Sequence, residues 1–366
     1  MFNTYRKEDY RMKELKIGNL TISLPIIQGG MGVGISLSSL AAAVANEGGV
    51  GVISAAVIGI TEKDFISNFI EANIRALKKE IRKARELTKG ILGVNIMMAL
   101  SNYADMVKTA IEEGIDIIFS GAGLPLNLPA FLTGKEKTKL VPIISSARAA
   151  GLITKRWYEK YDYLPDAIVV EGPKAGGHLG FKKSELDDSD FSLEKLVPAV
   201  IQEMKPWEQQ SGKVIPVIAA GGIYDGADIR KFINMGAAGV QMATRFVTTH
   251  ECDASEEFKN TYIRAEKEDI EIIDSPVGMP GRAIRNQFID AVREGKKHPL
   301  NCHFHCIRTC DVKNSPYCIA TALINAQRGN MNHGFAFAGE NAYRTREIVS
   351  VKELVRSLKK EYDSSL

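Results

Sequence analysis

Short apolar segments alternate with longer segments of helical periodicity over the first two thirds of the chain. Each apolar segment is four to six residues long and hydrophobic almost throughout, as in strands that are covered on both faces. Eight such segments occur, at residues 25–28, 50–53, 92–95, 115–119, 141–144, 167–170, 214–219 and 239–242. Because strands that alternate with helices usually pair in parallel, the pattern predicts βα units around one parallel sheet.

The intervening segments carry start and stop signals of helices. Ser38 is placed to cap the helix after the first strand, and residues 62–88 are long enough for one or two helices. Predicted helices at 103–113 and 227–235 end just before Gly114 and Gly236, since glycine readily closes a helix. Eight strands form either a closed (β/α)8 TIM barrel or an open doubly wound sheet. The strand count and the regular alternation favour the barrel, an α/β fold.

The last third of the chain departs from this rhythm. From residue 249 onward it contains helical stretches, a cluster of cysteines and a helical pattern at 351–362. We therefore predict a barrel at 1–248 and a C-terminal helical extension or small subdomain at 249–366, packed on the barrel. The polar residues 181–191 are expected to form a loop after strand six. Residues 334–339 (GFAFAG) either close over the barrel mouth or pack the tail.

Composition narrows the class of protein. A net charge of +3 gives no reason to expect nucleic acid or an anionic membrane as the main partner. The N-terminus is polar and charged, without the apolar stretch of a signal peptide, and no apolar run is long enough to span a bilayer. The cytoplasm is therefore the expected location. Five cysteines, an odd number, argue against a disulfide framework.

Glycine and small polar residues follow the ends of most predicted strands. Barrel enzymes build their sites from the loops after the carboxyl ends of the strands, and glycine lets backbone N–H groups approach a ligand closely. The candidate cofactor-binding residues in these loops are Gly29, Gly30, Met31, Asn95, Ser120, Gly121, Glu171 and Gly177.

Two of the loops point to a phosphate group. The loops after strands seven and eight commonly form the phosphate site of such barrels. Here they supply Gly221 and Gly222, then Ala243 and Thr244, whose amides and hydroxyl can donate to a phosphate near helix N-termini. Tight βα turns alone would also explain either loop. The ordered pair favours a phosphate-bearing cofactor or substrate.

His178 is the candidate catalytic residue. It lies in a glycine-rich loop after strand six, and it is the one histidine of six at the active end of a predicted strand. Imidazole titrates near neutral pH, which suits proton transfer. The alternative is a histidine that only ties down its own loop. Four glycines already shape that loop, so the catalytic interpretation is favoured.

The strand-end motifs together resemble one known family. They are QGGM at 28–31, GVNIM at 93–97, SGAG at 120–123, AGGHLG at 175–180, AAGGI at 219–223 and TRF at 244–246. In this order they resemble the nitronate monooxygenases, formerly called 2-nitropropane dioxygenases. The FMN-dependent enoyl-ACP reductases of the second type share the same motifs and family. The resemblance extends from about residue 15 to residue 293.

The resemblance implies an FMN-containing TIM barrel and assigns roles by position. Gly29, Gly30 and Met31 would lie by the flavin ring, and Asn95 would hydrogen-bond it. Gly221, Gly222, Ala243 and Thr244 would hold the phosphate, and His178 would face the reactive side of the ring. The sequence departs from the family at Lys174 and at Ala243, where glycine is usual, and its 181–191 loop is longer than expected for the reductases. The largest departure is the C-terminal cysteine cluster, which has no place in the reductase pattern.

The implied reaction is oxidation of an alkyl nitronate by oxygen through the flavin, which performs the redox chemistry while the protein positions it. The alternative within the family is NAD(P)H-dependent reduction of an enoyl thioester, with NAD(P)H as co-substrate and an acyl carrier protein as partner. Two alternatives outside this chemistry stay open: a non-redox barrel that binds a sugar phosphate, and a flavin-binding sensor. Assembly as a homodimer also stays open.

Four cysteines cluster at Cys302, Cys306, Cys310 and Cys318. Cysteines in fours can hold iron–sulfur or zinc, with His303 and His305 as further ligands. The spacing matches no standard ferredoxin or zinc-finger pattern. We therefore expect free or packed thiols and no metal, and keep iron–sulfur and zinc as the alternatives.

Overall fold

The computed structural model describes residues 12–299, 302 and 304–365. Its strands are β1 Leu15–Ile17, β2 Leu20–Ile22, β3 Ile26–Gln28, β4 Gly51–Ser54, β5 Leu92–Met97, β6 Ile117–Gly121, β7 Lys139–Ile144, β8 Ile168–Glu171, β9 Gly177–His178, β10 Val217–Ala220, β11 Gly239–Met242, β12 Ile270–Asp274 and β13 Pro280–Ile284. Its α-helices are α1 Ser38–Asn46, α2 Phe69–Leu87, α3 Tyr103–Glu112, α4 Ala147–Tyr161, α5 Leu193–Ser211, α6 Gly226–Asn234, α7 Thr244–Val247, α8 Glu256–Arg264, α9 Gln287–Arg293, α10 Ile319–Gln327 and α11 Val351–Ser364.

Eight parallel strands form one closed barrel. They follow the order β3, β4, β5, β6, β7, β8, β10, β11, and β11 pairs back onto β3. The seam between β3 and β4 is closed by a parallel bridge from Ile27 to Val50, with Gln28 N–H donating to the Val50 carbonyl at 3.0 Å. Each of the eight strands overlaps one predicted from the sequence, with ends that differ by up to three residues, and the TIM-barrel prediction is confirmed.

The barrel interior is a packed apolar core that is plugged at one end. Inward-facing residues such as Val52, Phe119 and Ile218 are buried in one cluster. Leu15 and Ile17 of the N-terminal β1–β2 hairpin belong to the same cluster. The hairpin therefore fills the end where the strands begin, and it leaves the other end to the strand-end loops.

Local signals in the sequence predicted two helix C-termini correctly and one N-cap wrongly. Gly114 and Gly236 follow α3 and α6 with φ of +67° and +100°, so both close helices as expected. The prediction that Ser38 caps α1 is wrong: Leu37 is the N-cap residue, and the Leu37 amide donates to Asp253 Oδ2 at 2.8 Å. The cap therefore comes from a side chain more than two hundred residues away, which no local pattern reveals.

The C-terminal region contributes strands as well as helices. β12 and β13 form an antiparallel hairpin, and β9 joins it from the loop after β8. Residues 334–341, called the strap below, pair with β13 through a bridge from Ala283 to Phe337. The last helix, α11, packs against α6 and α1 and takes the position of the eighth barrel helix. The division at residue 248 stays a prediction.

Two further sequence predictions, for a loop and for a helical segment, can be compared with the structure. Residues 181–191 form a loop with two short 3₁₀ turns, as expected. The segment 62–88 holds one α-helix, α2, preceded by a 3₁₀ turn at Ile58–Thr61. Within the described ranges, none of the helices has the length and apolar character needed to cross a bilayer.

Candidate active site

One cavity opens at the carboxyl ends of the barrel strands. Strand-end loops supply most of its wall, and the C-terminal region supplies the rest. The lining includes Gly29, Gly30, Met31, Asn95, Met97, Gly121, Glu171, Gly176, Gly177, His178, Gln241, Ala243, Thr244, Tyr262, Leu323, Phe337, Ala338 and Gly339. The convergence of these turns at one rim follows from the parallel direction of all eight strands.

The turn after β3 is fixed by a buried glutamine and two glycines. Gln28 is fully buried, and its Oε1 accepts the Val52 amide at 3.0 Å. Gly29 N–H donates to the Met242 carbonyl at 2.8 Å, so the turn is anchored to both neighbouring strands. A Cβ on Gly30 would lie 2.3 Å from Asn95 Cβ. Only glycine therefore fits beside Asn95, and the bare backbone faces the cavity.

The histidine loop is clamped by a buried guanidinium. Arg282 on β13 donates from Nη1 to the carbonyls of Pro173 and Ala175, the latter at 2.8 Å. Burial lowers the pKa of Arg282, although the side chain stays cationic. Gly281 lies opposite His178 in the β13–β9 pairing. The position of His178 thus depends on a strand that begins about one hundred residues later.

His178 is partly buried and makes two specific contacts. Its Nε2 lies 2.7 Å from Ser275 Oγ, and its ring meets the Phe337 ring edge-on with centroids 4.9 Å apart. Burial lowers the pKa of His178 to about 4. The imidazole is therefore neutral at physiological pH, and it can donate or accept one hydrogen bond on each side according to its tautomer.

Glu171 ends β8 and faces the same cavity. Burial raises the pKa of its carboxyl to about 7. A carboxyl that titrates near neutral pH can act as a hydrogen-bond donor or as an acceptor, depending on the pH. Two titratable groups of opposite tendency, Glu171 and His178, therefore share one pocket, an arrangement typical of functional sites.

The strap seals the cavity beside Thr244. Gly339 N–H donates to Thr244 Oγ1 at 3.2 Å, and the Asn341 side chain donates to the Gly222 carbonyl at 2.7 Å. A Cβ on Gly176 would lie 2.6 Å from the Ala338 carbonyl carbon and from Gly339 N. The strap and the histidine loop thus touch backbone to backbone. Of the two alternatives for residues 334–339, the structure has the strap lining the mouth.

Most of the predicted site residues meet in this cavity. Those that line it are Gly29, Gly30, Met31, Asn95, Gly121, Glu171, Gly177, His178, Ala243 and Thr244. Ser120 lies outside the lining: it is a fully buried residue of β6, and its hydroxyl donates to the Ile96 carbonyl at 3.0 Å and lies 3.1 Å from Tyr103 Oη. Gly221 and Gly222 are not among the lining residues either; a Cβ on Gly221 would lie 3.1 Å from Ala175 Cβ, and one on Gly222 would lie 2.8 Å from Lys174 Cβ.

Sequence reasoning missed the residues that reach the cavity from the C-terminal region. Tyr262 lines the cavity, and its hydroxyl donates to the Phe337 carbonyl. Ser275 lies in the turn between β12 and β13, just behind His178. The available signal for Phe337 was the small-and-aromatic pattern of 334–339. For Ser275 and Tyr262 there was none, since their places depend on how the C-terminal strands cross the rim.

The chemistry of the lining residues suits a phosphate-bearing flavin. Met31, Met97 and Leu323 supply apolar surface, whereas the glycine turns and Asn95 supply polar groups at the edges. Among the described residues that line the cavity there is no lysine or arginine. A phosphate would therefore be held by amide and hydroxyl donors, as around Ala243 and Thr244.

The four clustered cysteines lie around a small separate cleft, together with His305. None of the four is in a disulfide, and burial raises the pKa of the Cys306 thiol to about 12. Within residues 12–299, 302 and 304–365, no three His, Cys, Asp or Glu side chains are arranged to hold a metal ion. His303 lies outside the described residues. The segment packs on the loop after β5, where Ser101 N–H donates to the Cys306 carbonyl at 3.0 Å.

The chain also resembles proteins of known sequence over most of its length. "Probable nitronate monooxygenase" of Staphylococcus aureus is 28% identical over 301 residues, which cover 75% of this chain and 79% of that protein. An octahydro-1H-indene-4-carboxyl-CoA dehydrogenase of Mycobacterium tuberculosis is 28% identical over 276 residues, or 75% of this chain and 67% of the dehydrogenase.

Solved structures resemble the whole fold. FabK from Thermotoga maritima superimposes with a TM-score of 0.72 at 27% identity, covering 94% of both chains. Nitroalkane oxidase from Streptomyces ansochromogenes gives a TM-score of 0.72 at 22% identity, covering 94% of this chain and 97% of the oxidase, a likeness that concerns the fold alone.

The family model described as nitronate monooxygenase matches residues 13–361, nearly the whole chain. The match includes all six strand-end motifs and the C-terminal strap, and it confirms the resemblance drawn from the motifs. The chain therefore belongs to the nitronate monooxygenase family, a family of flavin-dependent oxidoreductases.

Proposed function

We propose that this protein binds FMN in the rim cavity and oxidises alkyl nitronates with molecular oxygen. The observation that carries the proposal is the position of His178: a neutral imidazole at the wall of a glycine-lined cavity, in a chain of the nitronate monooxygenase family. A nitronate is an anion with two oxygens that need hydrogen-bond donors. A neutral imidazole N–H supplies one donor in a site with few charges.

The binding residues act through backbone and small polar groups. The turn at Gly29, Gly30 and Met31 lets a flat ring approach the rim, and the Asn95 amide hydrogen-bonds its polar edge. Ala243 and Thr244 donate to the phosphate. FMN, when bound, supplies the electron transfer between substrate and oxygen.

His178 orients the substrate in this proposal. Because its pKa is lowered to about 4, the ring carries no charge at neutral pH and does not trap anions indiscriminately. Its N–H points a nitronate oxygen toward one place in the cavity, and Phe337 restricts the rotation of the ring. Apolar side chains such as Met31 and Leu323 exclude water from the reacting carbon.

A second candidate is the reduction of an enoyl thioester by NAD(P)H. The likeness to FabK, an enoyl-ACP reductase, at 27% identity favours it, as does the likeness to a dehydrogenase of a CoA thioester. His178 would then donate to the thioester carbonyl, and an acyl carrier protein or coenzyme A would deliver the substrate.

One anaerobic experiment separates the two candidates. The purified holoprotein is mixed without oxygen with ethyl nitronate, NADH or NADPH, and the visible flavin absorbance is followed in a stopped-flow instrument. Rapid bleaching by the nitronate, with bleaching by either nicotinamide at least a hundredfold slower, is expected. Rapid bleaching by a nicotinamide with none by the nitronate would contradict the proposal and support enoyl reduction.

A further inference from the structure

The contact between Ser275 and His178 determines more than the position of the ring. Ser275 is 8% exposed and sits in the turn between β12 and β13, with its Oγ 2.7 Å from His178 Nε2. The same Oγ accepts the amide of Val277 at 3.4 Å. Ser275 does not line the cavity, so Nε2 is engaged behind the cavity wall.

The protons available to Ser275 and His178 determine which of the two groups donates the hydrogen bond. A serine hydroxyl has one proton and two acceptor lone pairs. The Val277 amide can only donate, so it occupies a lone pair and leaves the hydroxyl proton free. Among the described residues, His178 Nε2 is the acceptor within hydrogen-bond distance of that proton. A buried hydroxyl proton without an acceptor is unfavourable, so Ser275 donates and Nε2 accepts.

The charge state of the ring then fixes its tautomer. Burial lowers the pKa of His178 to about 4, so the ring carries a single proton at neutral pH. Since Nε2 is the acceptor for Ser275, that proton lies on Nδ1. In the described part of the chain no protein group accepts a hydrogen bond from Nδ1, which leaves this N–H for a ligand.

We propose that Ser275 is a positioning residue that fixes His178 as the Nδ1–H tautomer, so that the ring offers the cavity a donor and no free basic nitrogen. This proposal rests on the proposed function and deepens it. A donor stabilises the oxygens of a nitronate anion. The ring has no unengaged lone pair with which to remove a carbon-bound proton, so the neutral nitroalkane is not activated. The site thereby discriminates between the ionised and neutral forms of one compound.

The tautomer itself can be observed without any substrate. The holoprotein is prepared with ring-¹⁵N histidine, and the His178 signals among those of six histidines are assigned by their loss in His178→Gln. At pH 7 we expect a protonated Nδ1 and an unprotonated Nε2. Ser275→Ala should move population toward protonated Nε2, and Ser275→Thr, which keeps the hydroxyl, should retain the original spectrum. A protonated Nε2 in the unmodified protein, or a Ser275→Ala spectrum without change, would overturn the proposal.

The consequence for substrate choice is tested by kinetics. Initial rates are compared for nitroethane and for its pre-formed anion at the same pH. We expect kcat/KM for the anion to exceed that for the neutral form by at least tenfold. In Ser275→Ala the ratio of the two kcat/KM values should fall roughly tenfold, mainly through a change in kcat. Ser275→Thr, which keeps the hydroxyl, should have the ratio of the unmodified protein.

The two tests fail in different ways. An equal or higher kcat/KM for neutral nitroethane, or an unchanged ratio in Ser275→Ala, contradicts the discrimination. If the unmodified protein turned over neither nitroethane nor its anion but gave the expected ¹⁵N pattern, nitronate oxidation would be rejected and the tautomer assignment would stand.

Discussion

The cavity has two walls of different origin. The barrel rim, formed by the turns after β3, β5, β6, β8 and β11, presents glycines and short polar side chains. The opposite wall is formed by the strap and by Tyr262, and the hairpin β12–β13 lies behind it with Ser275 and Arg282. In the proposed function, the first wall supplies donors for the cofactor. The second sets how His178 is held and how closely the mouth is covered.

The difference shows how a common barrel is specialised. Glycine turns at the rim are determined by local chain geometry, so they can grip a flavin in many barrels with different activities. The C-terminal wall touches His178 through side chains and backbone that lie outside the strand-end motifs. We therefore expect substitutions in the rim to change flavin affinity, and substitutions in the C-terminal wall to change turnover and substrate choice.

The largest effect is expected where the two walls meet, at His178. His178→Ala removes the donor to the substrate and should lower kcat/KM by roughly 100-fold or more while FMN stays bound. Steady-state kinetics with flavin absorbance on the same sample measures both quantities. His333→Ala, which alters an exposed histidine bonded to Asn330, is the matched control and should leave both unchanged. Unaltered turnover in His178→Ala would instead favour a flavin-binding sensor.

The next largest effect is expected from Gly176→Ala, which adds a methyl group between the two walls. In Gly176→Ala the new Cβ would lie 2.6 Å from strap backbone, which cannot move aside without displacing Gly339 from Thr244. Because overpacking of this kind costs about 1–3 kcal/mol, FMN affinity should fall by roughly five- to a hundredfold. The dissociation constant is measured by quenching of flavin fluorescence.

A control separates crowding of the strap from general loss of stability. Gly114, at the other end of the barrel, has φ of +67° and open space around its Cβ position. Gly114→Ala should lower the free energy of unfolding by about 1 kcal/mol without changing FMN affinity. Equal effects of the two substitutions on FMN affinity would refute the role given to the strap.

A smaller effect depends on pH and concerns Glu171 in the rim. Its pKa is raised to about 7 in the folded protein, against an ordinary value of 4.5. The folded state therefore binds this proton more tightly, so the contribution of Glu171 to stability is fully present below pH 4.5 and is lost as the pH rises through 7. In the flavin-free protein, Glu171→Gln should remove this decline and raise the free energy of unfolding at pH 8 by roughly 3 kcal/mol. Urea denaturation at pH 4.5 and pH 8 measures it, and parallel curves for both proteins would contradict the shift.

The smallest effect is expected at Ser120, which lies behind the rim. Ser120→Ala removes hydrogen bonds to the Ile96 carbonyl and the Tyr103 hydroxyl, and should cost roughly 1 kcal/mol of stability. Because the side chain does not line the cavity, FMN affinity and kcat should stay within twofold of the unmodified protein. A tenfold loss of FMN affinity would return Ser120 to the flavin-binding set.

The barrel and its rim could be predicted because their signals are local. A buried parallel strand is apolar along its length, and a turn that must expose backbone uses glycine, so β3 and Gly29–Gly30 can be recognised within a few residues. The family resemblance rested on the same turns. Ser120 met the same criteria, yet its side chain faces α3, because a strand-end position does not specify which way a buried residue points.

The C-terminal wall could not be predicted because its contacts are long-range. Ser275 meets His178 across 97 residues of sequence, and Asp253 caps α1 across 216. Neither residue belongs to a motif, and nothing near Ser275 marks it as a partner of a histidine. The strap was recognisable as an unusual segment, but its pairing with β13 depends on the tertiary fold.

In the proposed function, the rim binds a phosphorylated flavin through Thr244 and its neighbours. The most direct test of this binding is titration of the flavin-free protein with FMN and with riboflavin, which lacks the phosphate, in the unmodified protein and in Thr244→Val. We predict that FMN binds at least about 100-fold more tightly than riboflavin, and that Thr244→Val reduces this preference roughly tenfold. Equal affinities for FMN and riboflavin, or no binding of either, would contradict the account.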